Sequence, residues 1–270
     1  VWLCTHITSA EDFIQFSKVM GAGTDYSGTT VFLDADLDFS DDLSEQFKPI
    51  GDDWNKCVHG TLDGQGYAIS NLVINSSSQY TGIFGYSTGT AIRNVVLDSS
   101  CSVVSSYSGP NYAYVGGTLG ECREWDGPCT IENIVNMASV TFTGTVTNYN
   151  LYLGGIAGYL YAYEKEVAVR NCANYDSVTH SGIANYAYMG GIIGRTSGWS
   201  SMNKIQNCLN YGAITHSGTT SNSLDIGGIL GGAYRVNLEN CVNGGRIISN
   251  KVGYYIGSVV GSANSDYSST

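Results

Sequence analysis

Ala91-Ile-Arg-Asn-Val95, Thr130-Ile-Glu-Asn-Ile134, Ala168-Val-Arg-Asn-Cys172, Lys204-Ile-Gln-Asn-Cys208 and Asn237-Leu-Glu-Asn-Cys241 align without gaps, and Ala68-Ile-Ser-Asn-Leu72 reads as a further copy. Their asparagines are Asn71, Asn94, Asn133, Asn171, Asn207 and Asn240. Two residues before each asparagine stands an aliphatic residue (Ile69, Ile92, Ile131, Val169, Ile205, Leu238), which marks an inward-facing column. One residue after it stand Leu72, Val95, Ile134, Cys172, Cys208 and Cys241. Inward positions three apart instead of two mean that the chain bends at the asparagine, a residue that tolerates the left-handed backbone such a bend needs. Asparagines stacked from coil to coil then hydrogen-bond as a side-chain amide ladder.

A second register runs beside the first: Gly82-Ile-Phe-Gly85, Gly117-Thr-Leu-Gly120, Gly155-Ile-Ala-Gly158, Gly191-Ile-Ile-Gly194 and Gly228-Ile-Leu-Gly231, with a degenerate copy at Ser258-Val-Val-Gly261. Paired glycines mark a second corner, where a Cβ has no room or φ is positive. From Asn94 onward the spacing settles in the mid-thirties, about one solenoid coil. Short β-branched strands between the corners then pair in parallel, about 4.8 Å apart. A sandwich or barrel also has many short strands, but neither requires one residue type at one place per coil. The expected fold is all-β: a right-handed parallel β-helix, or solenoid, with a short N-terminal capping α-helix.

Residues 9–20 supply that helix. Ser9 is its N-cap, Asp12 reaches back like a capping-box acid, and Phe13, Phe16 and Met20 share one face. An apolar helix face ahead of a strand array covers the open end of the stack. The whole chain, 1–270, then reads as one domain: helix 9–20, an irregular first coil over 30–66, repeats over 67–261 and a tail over 262–270.

Composition narrows the setting. Charged residues make up 13% of the chain, and 12 Lys and Arg against 23 Asp and Glu leave a net charge of -11, which repels nucleic-acid backbones and anionic membranes. The chain has no apolar run long enough for membrane insertion in this segment. Eight cysteines without a CxxC pair or a Cys/His cluster at zinc spacing point to an oxidising, secreted or cell-surface setting. No cofactor is expected.

Phe47-Lys-Pro-Ile-Gly51, His59-Gly-Thr-Leu-Asp-Gly-Gln-Gly-Tyr-Ala-Ile-Ser-Asn-Leu-Val-Ile74 and the Gly-Gly-Ile-x-Gly runs resemble the GLUG-type repeats of large secreted and surface-attached proteins. The resemblance spans about Ile7 to Gly261. It implies a right-handed β-helix of the kind found in adhesin-like ectodomains of bacteria and protists. Such repeats also flank a bacterial metalloprotease that cleaves immunoglobulin A. The HExxH motif is missing here, so the resemblance does not carry that activity over.

Several candidate sites stand against plainer readings. Asp34, Asp36 and Asp38 alternate with Leu33, Ala35, Leu37 and Phe39, so three carboxylates share one strand face, either as a metal site for calcium or as a solvated surface. Tyr114, Tyr152, Tyr188 and Tyr255 share one slot per coil, broken by Asp225. Aromatic faces stack on sugar rings, which makes the column a ligand-contact strip, and a stabilising ladder is the alternative. His180 and His216 occupy one slot on adjacent coils, either as a metal-binding pair or, since Phe142 and Ser249 fill the same slot, as exposed surface. Cys122 and Cys129 bracket Cys-Arg-Glu-Trp-Asp-Gly-Pro-Cys, a disulfide-pinned loop in expectation, whereas Cys4, Cys57 and Cys101 cannot be paired. No cysteine shows a neighbouring catalytic histidine pattern. Asn75-Ser-Ser77 is a glycosylation sequon.

The expected function is non-enzymatic adhesion or display by an extracellular module, with a glycan or protein ligand. One alternative is a self-associating subunit of a fibre or cell coat. Another is a polysaccharide lyase or hydrolase, against which the register forces no paired acid at a hydrolase separation among Asp98, Glu132, Asp176, Asp225 and Glu239.

Overall fold

The computed structural model describes residues 5–51, 53, 55, 57–251 and 254–264, and the backbone of 267–269. The protein is a parallel β-solenoid of about six turns with a small N-terminal helix. One coil runs through Cys129–Glu132, Val135–Asn136, Ser139–Phe142, Thr145–Gly154 and Ala157–Ala162 before the next begins at Val167. Equivalent strands pair in parallel up the axis, in sheets of 14, 7, 6 and 7 strands. The aliphatic column is in register, Ile131 beside Val169, Val169 beside Ile205 and Ile205 beside Leu238, and it lies in the core.

Each repeat asparagine turns the corner in the left-handed region, with φ between 52° and 57° at Asn71, Asn94, Asn133, Asn171, Asn207 and Asn240. Five of them form a ladder on the outside. Asn133 Nδ2 donates to Asn94 Oδ1 at 2.9 Å, and Asn171, Asn207 and Asn240 each donate to the one before at 3.1, 3.1 and 3.3 Å. Every amide therefore donates toward the N-terminus, so the foot of the ladder needs an acceptor. Asp63 supplies it by accepting from Asn94 Nδ2 at 2.8 Å.

Asn71 departs from the sequence reading. Its run does not sit below Asn94: Ala68 pairs with Val96 and Ile69 with Leu97, while the place below Ala91-Ile-Arg93 is held by Thr61-Leu-Asp63. Asn71 and Asn94 are only 23 residues apart, too few for a coil, so the same local motif turns a different corner. Its amide donates instead to Asp38 Oδ1 at 2.8 Å.

A second amide ladder, inside the wall, escaped the sequence reading. Asn136, Asn174 and Asn210 are fully buried, and each Nδ2 donates to the Oδ1 of the next, Asn210 to Asn243, at 2.8, 2.9 and 2.9 Å. Each also donates to the carbonyl two residues on, so the buried amides have defined partners. The first glycine of the paired corners makes room for them: a Cβ at Gly191 would lie 2.2 Å from Asn210 Cγ, and one at Gly228 2.3 Å from Asn243 Cγ.

The helix spans Ala10–Gly21, with Asp12 N donating to the Ser9 side chain at 3.2 Å. Asp12 reaches back to Thr8 rather than to Ser9, accepting from Thr8 N at 3.0 Å and Thr8 Oγ1 at 2.8 Å. Phe13 stacks on Phe47 with ring centroids 5.5 Å apart and meets Phe39 edge-on at 6.2 Å, while Phe16 meets Tyr26 at 5.3 Å. The apolar helix face thus joins the solenoid core. On the last described coil Val242, Ile248 and Ile256 are exposed.

Candidate functional site

At the paired-glycine corner, side chains from two adjoining sheets face one another and line one groove. One wall is the column Tyr80, Tyr114, Tyr152, Tyr188, Asp225 and Tyr255, in register from coil to coil. The other is Tyr86, Glu121, Tyr159, Arg195, Gly232 and Ser262. Each member of the second wall directly follows the second glycine of its motif, a regularity visible in the sequence but not used there.

Tyr114 and Tyr152 therefore are not an open contact strip. They are buried, stacked on each other at 5.2 Å, and roofed by Tyr159 from the facing wall at 5.8 and 4.8 Å. With Tyr80 and Tyr86 they form a second apolar cluster separate from the main core. Alternation placed them correctly on the outside of their sheet; the facing sheet covers them. Burial first, then the negative Glu121, holds the phenols of Tyr80, Tyr86 and Tyr114 well above their ordinary range.

Glu121 is wholly buried in this cluster. Arg123 Nε donates to its Oε1 at 2.6 Å, and Oε2 has no hydrogen-bond partner. Burial pushes its carboxyl up to about 7, against the opposing pull of Arg123. The Arg123 guanidinium in turn lies 5.3 Å from the Trp125 ring and 5.7 Å from that of Tyr161.

Three coils further on, the filling stops. Asp225 stands where the first wall had tyrosines and Gly232 where the second had large side chains, and a cleft of about 360 Å³ opens there. Tyr186, Tyr188, Arg195, Asp225, Tyr255 and Ser262 line it. The Arg195 guanidinium lies 4.4 Å from the Tyr188 ring centroid, Ser223 Oγ donates to Asp225 Oδ1 at 2.7 Å, and Ser262 Oγ donates to Asp225 Oδ2. Tyr188 is half-buried, whereas Tyr255 is 62% exposed.

Asp34, Asp36 and Asp38 do not share one strand, because the chain turns between Thr30–Leu33 and Leu37–Asp38. Each carboxylate is committed elsewhere: Asp34 to His6 Nδ1 at 2.7 Å, Asp36 to Ala68 N at 2.8 Å, Asp38 to Asn71. His180 and His216 meet edge-on at 5.0 Å but are buried, not exposed, because their slot faces the core beside Phe142. Burial first, then His216, pushes His180 down to about 3.

Asn75 is exposed on the strand Val73–Ser76. Cys122 and Cys129 form a disulfide, while Cys101, Cys172 and Cys208 are buried free thiols; Cys4 lies outside the described residues. Cys57 corrects the reading of the cysteines, since its Sγ is 3.3 Å from His59 Nε2. Of the acids weighed for polysaccharide cleavage, Glu132 lies in register with Arg93 and Arg170, and Asp225 alone lines the cleft. Tyr175 and Tyr211, not singled out from sequence, stack at 5.7 Å on another face and are about half exposed.

No family model and no curated protein matches the chain. A crystal structure of a putative immunoglobulin A1 protease from Bacteroides ovatus superposes with a TM-score of 0.68 at 21% identity, over 98% of this chain and 74% of that one. The likeness establishes the shared β-helix fold. It also corrects the expectation that the chain is not an enzyme: a protein with this fold along nearly the whole chain carries a protease name. The fold therefore does not reserve this chain for display.

Proposed function

We propose that the chain is an extracellular or cell-surface recognition module of the GLUG-repeat kind, binding a glycan in the open half of the outer groove. One observation carries this reading: the groove is packed with rings for three coils and then left open where Asp225 and Gly232 replace them. Tyr186 and Tyr255 offer ring faces for the apolar side of a sugar, Tyr188 is stacked on Tyr152 and holds Arg195 over its own ring, and Arg195 and Asp225 offer donors and acceptors for the hydroxyls. The two serines holding the Asp225 carboxylate pre-orient it, which lowers the ordering cost of binding. The Cys122–Cys129 disulfide and the weakly charged surface support an extracellular setting.

A glycan array on the full chain, followed by titration calorimetry with the best ligand, tests the proposal. Tyr188→Ala and Asp225→Asn are expected to weaken binding at least about tenfold, or about 1.4 kcal/mol, and Tyr175→Ala to leave it unchanged. Loss in Tyr175→Ala with retention in Tyr188→Ala moves the site to the other face and ends the reading. A second reading, self-association into a fibre or coat, is supported by the exposed Val242, Ile248 and Ile256. It predicts concentration-dependent sedimentation of the free chain.

A further inference from the structure

At the packed end of the groove, far along the wall from the cleft, three side chains from two segments converge. Cys57 and His59 are two apart on extended chain entering the strand Val58–Asp63, so both point the same way. Cys57 Sγ lies 3.3 Å from His59 Nε2, and the other ring nitrogen, Nδ1, lies 3.4 Å from Thr88 Oγ1. Asp126 arrives from the disulfide-pinned loop: its N donates to Thr88 O at 2.8 Å. That loop can come so close because Gly89 faces Gly127; a Cβ on Gly89 would lie 2.7 Å from Gly127 N. Cys57 Sγ, a His59 ring nitrogen and an Asp126 carboxylate oxygen all lie within 4.8 Å of one another.

We propose that Cys57, His59 and Asp126 form a binding site for one zinc ion. A zinc–sulfur bond of about 2.3 Å and a zinc–nitrogen bond of about 2.0 Å in a tetrahedron place sulfur and nitrogen about 3.5 Å apart. The observed 3.3 Å is close to that edge. A thiolate with an imidazole selects a borderline-soft ion such as zinc over calcium or magnesium, which take oxygen ligands. With zinc on Nε2 the ring proton sits on Nδ1, and Thr88 Oγ1, 3.4 Å away, is placed to accept it and orient the ring as a ligand.

The arrangement differs from a nucleophilic relay. In a Cys–His–Asp relay the sulfur and the carboxylate lie on opposite sides of the imidazole, on the order of 7 Å apart. Here the carboxylate lies within 4.8 Å of the sulfur, so the three ligand atoms surround a point instead of forming a line. Three protein ligands leave a fourth position of the tetrahedron for water, and Asp126 is exposed. The disulfide and the two glycines thereby acquire a purpose the solenoid alone does not require: they hold a carboxylate against a neighbouring coil.

The test uses the full chain, stripped with a chelator and titrated with Zn²⁺, and in parallel with Co²⁺ as a spectroscopic probe. One equivalent of zinc is expected to bind, and Co²⁺ to give a thiolate-to-cobalt charge-transfer band. Zinc should also protect Cys57 from alkylation, read by peptide mass spectrometry. Cys57→Ser should abolish the band, and Asp126→Asn should weaken zinc at least about tenfold without disturbing the fold. His6→Ala should leave both unchanged.

The proposal is overturned if wild type takes up no stoichiometric zinc, or if the cobalt band persists in Cys57→Ser. Undiminished alkylation of Cys57 in the presence of zinc overturns it as well, whatever the variants do. None of these readouts depends on the glycan cleft.

Discussion

The two halves of the outer groove share one backbone register and treat it in opposite ways. In the packed half, Tyr80, Tyr114 and Tyr152 lie under Tyr86, Glu121 and Tyr159, and all but Tyr159 are buried. In the open half, Asp225 and Gly232 occupy the same two columns, and Tyr188, Arg195 and Tyr255 face a cleft. A solenoid thus sets stability or recognition coil by coil through two substitutions in fixed slots, without any change of fold. The packed half acts as a second core on the outer face of the sheet; the open half is that core left unfinished.

The sharpest way to break this comparison is to truncate one ring in each half. Tyr152→Ala removes a buried aromatic and is expected to lose about 3–5 kcal/mol of stability, whereas Tyr255→Ala should stay within about 0.5 kcal/mol. Equal shifts of the two in denaturant unfolding would erase the distinction.

The next effect is pH-dependent. Glu121 sits at about 7 in the folded chain against an ordinary 4.5, so the folded state holds its proton longer than the unfolded state. Stability from this group is complete below pH 4.5 and falls as pH rises toward 7, by up to about 3 kcal/mol at about 1.4 kcal/mol per pH unit. Glu121→Gln should flatten that slope. His180 contributes with the opposite sign: its pKa is depressed to about 3, so its stability is present above 6.5 and is lost as pH falls through that range. The Glu121 contribution is therefore read as the difference between variant and wild type. An unchanged difference across pH 4.5–7 would show that the packed half tolerates the charge.

The smallest expected effect lies in the open half. Arg195→Lys keeps the charge but loses the planar group stacked on Tyr188, and should weaken glycan binding by about two- to fivefold, or about 0.5–1 kcal/mol. Its stability should barely move. A large loss of stability instead would place Arg195 with the packed half.

Most of the backbone was legible in the residues. An asparagine recurring at one place in each coil, between aliphatic positions three apart inside short β-branched runs, specifies a left-handed corner between two inward strands, because strand alternation puts inward positions two apart. The helix after Ser9 was equally plain from its cap and its Phe13, Phe16 and Met20 face. The buried asparagine ladder was present as a second asparagine three residues after the first, and went unread because a lone polar residue in an aliphatic run does not reveal whether a partner lies above it.

The sequence by itself determined the order of corners and strands around each coil, since these are local choices of φ, ψ and side-chain alternation. Only the tertiary structure decided what each face meets. Alternation puts Tyr152 outside its own sheet and His180 on one side of its strand. Whether that side is water, core or another wall depends on the angle between sheets and on which residues stand one coil away. The same holds for Asp126, which is 67 residues from His59 in the chain and reaches it through a disulfide loop resting on the next coil.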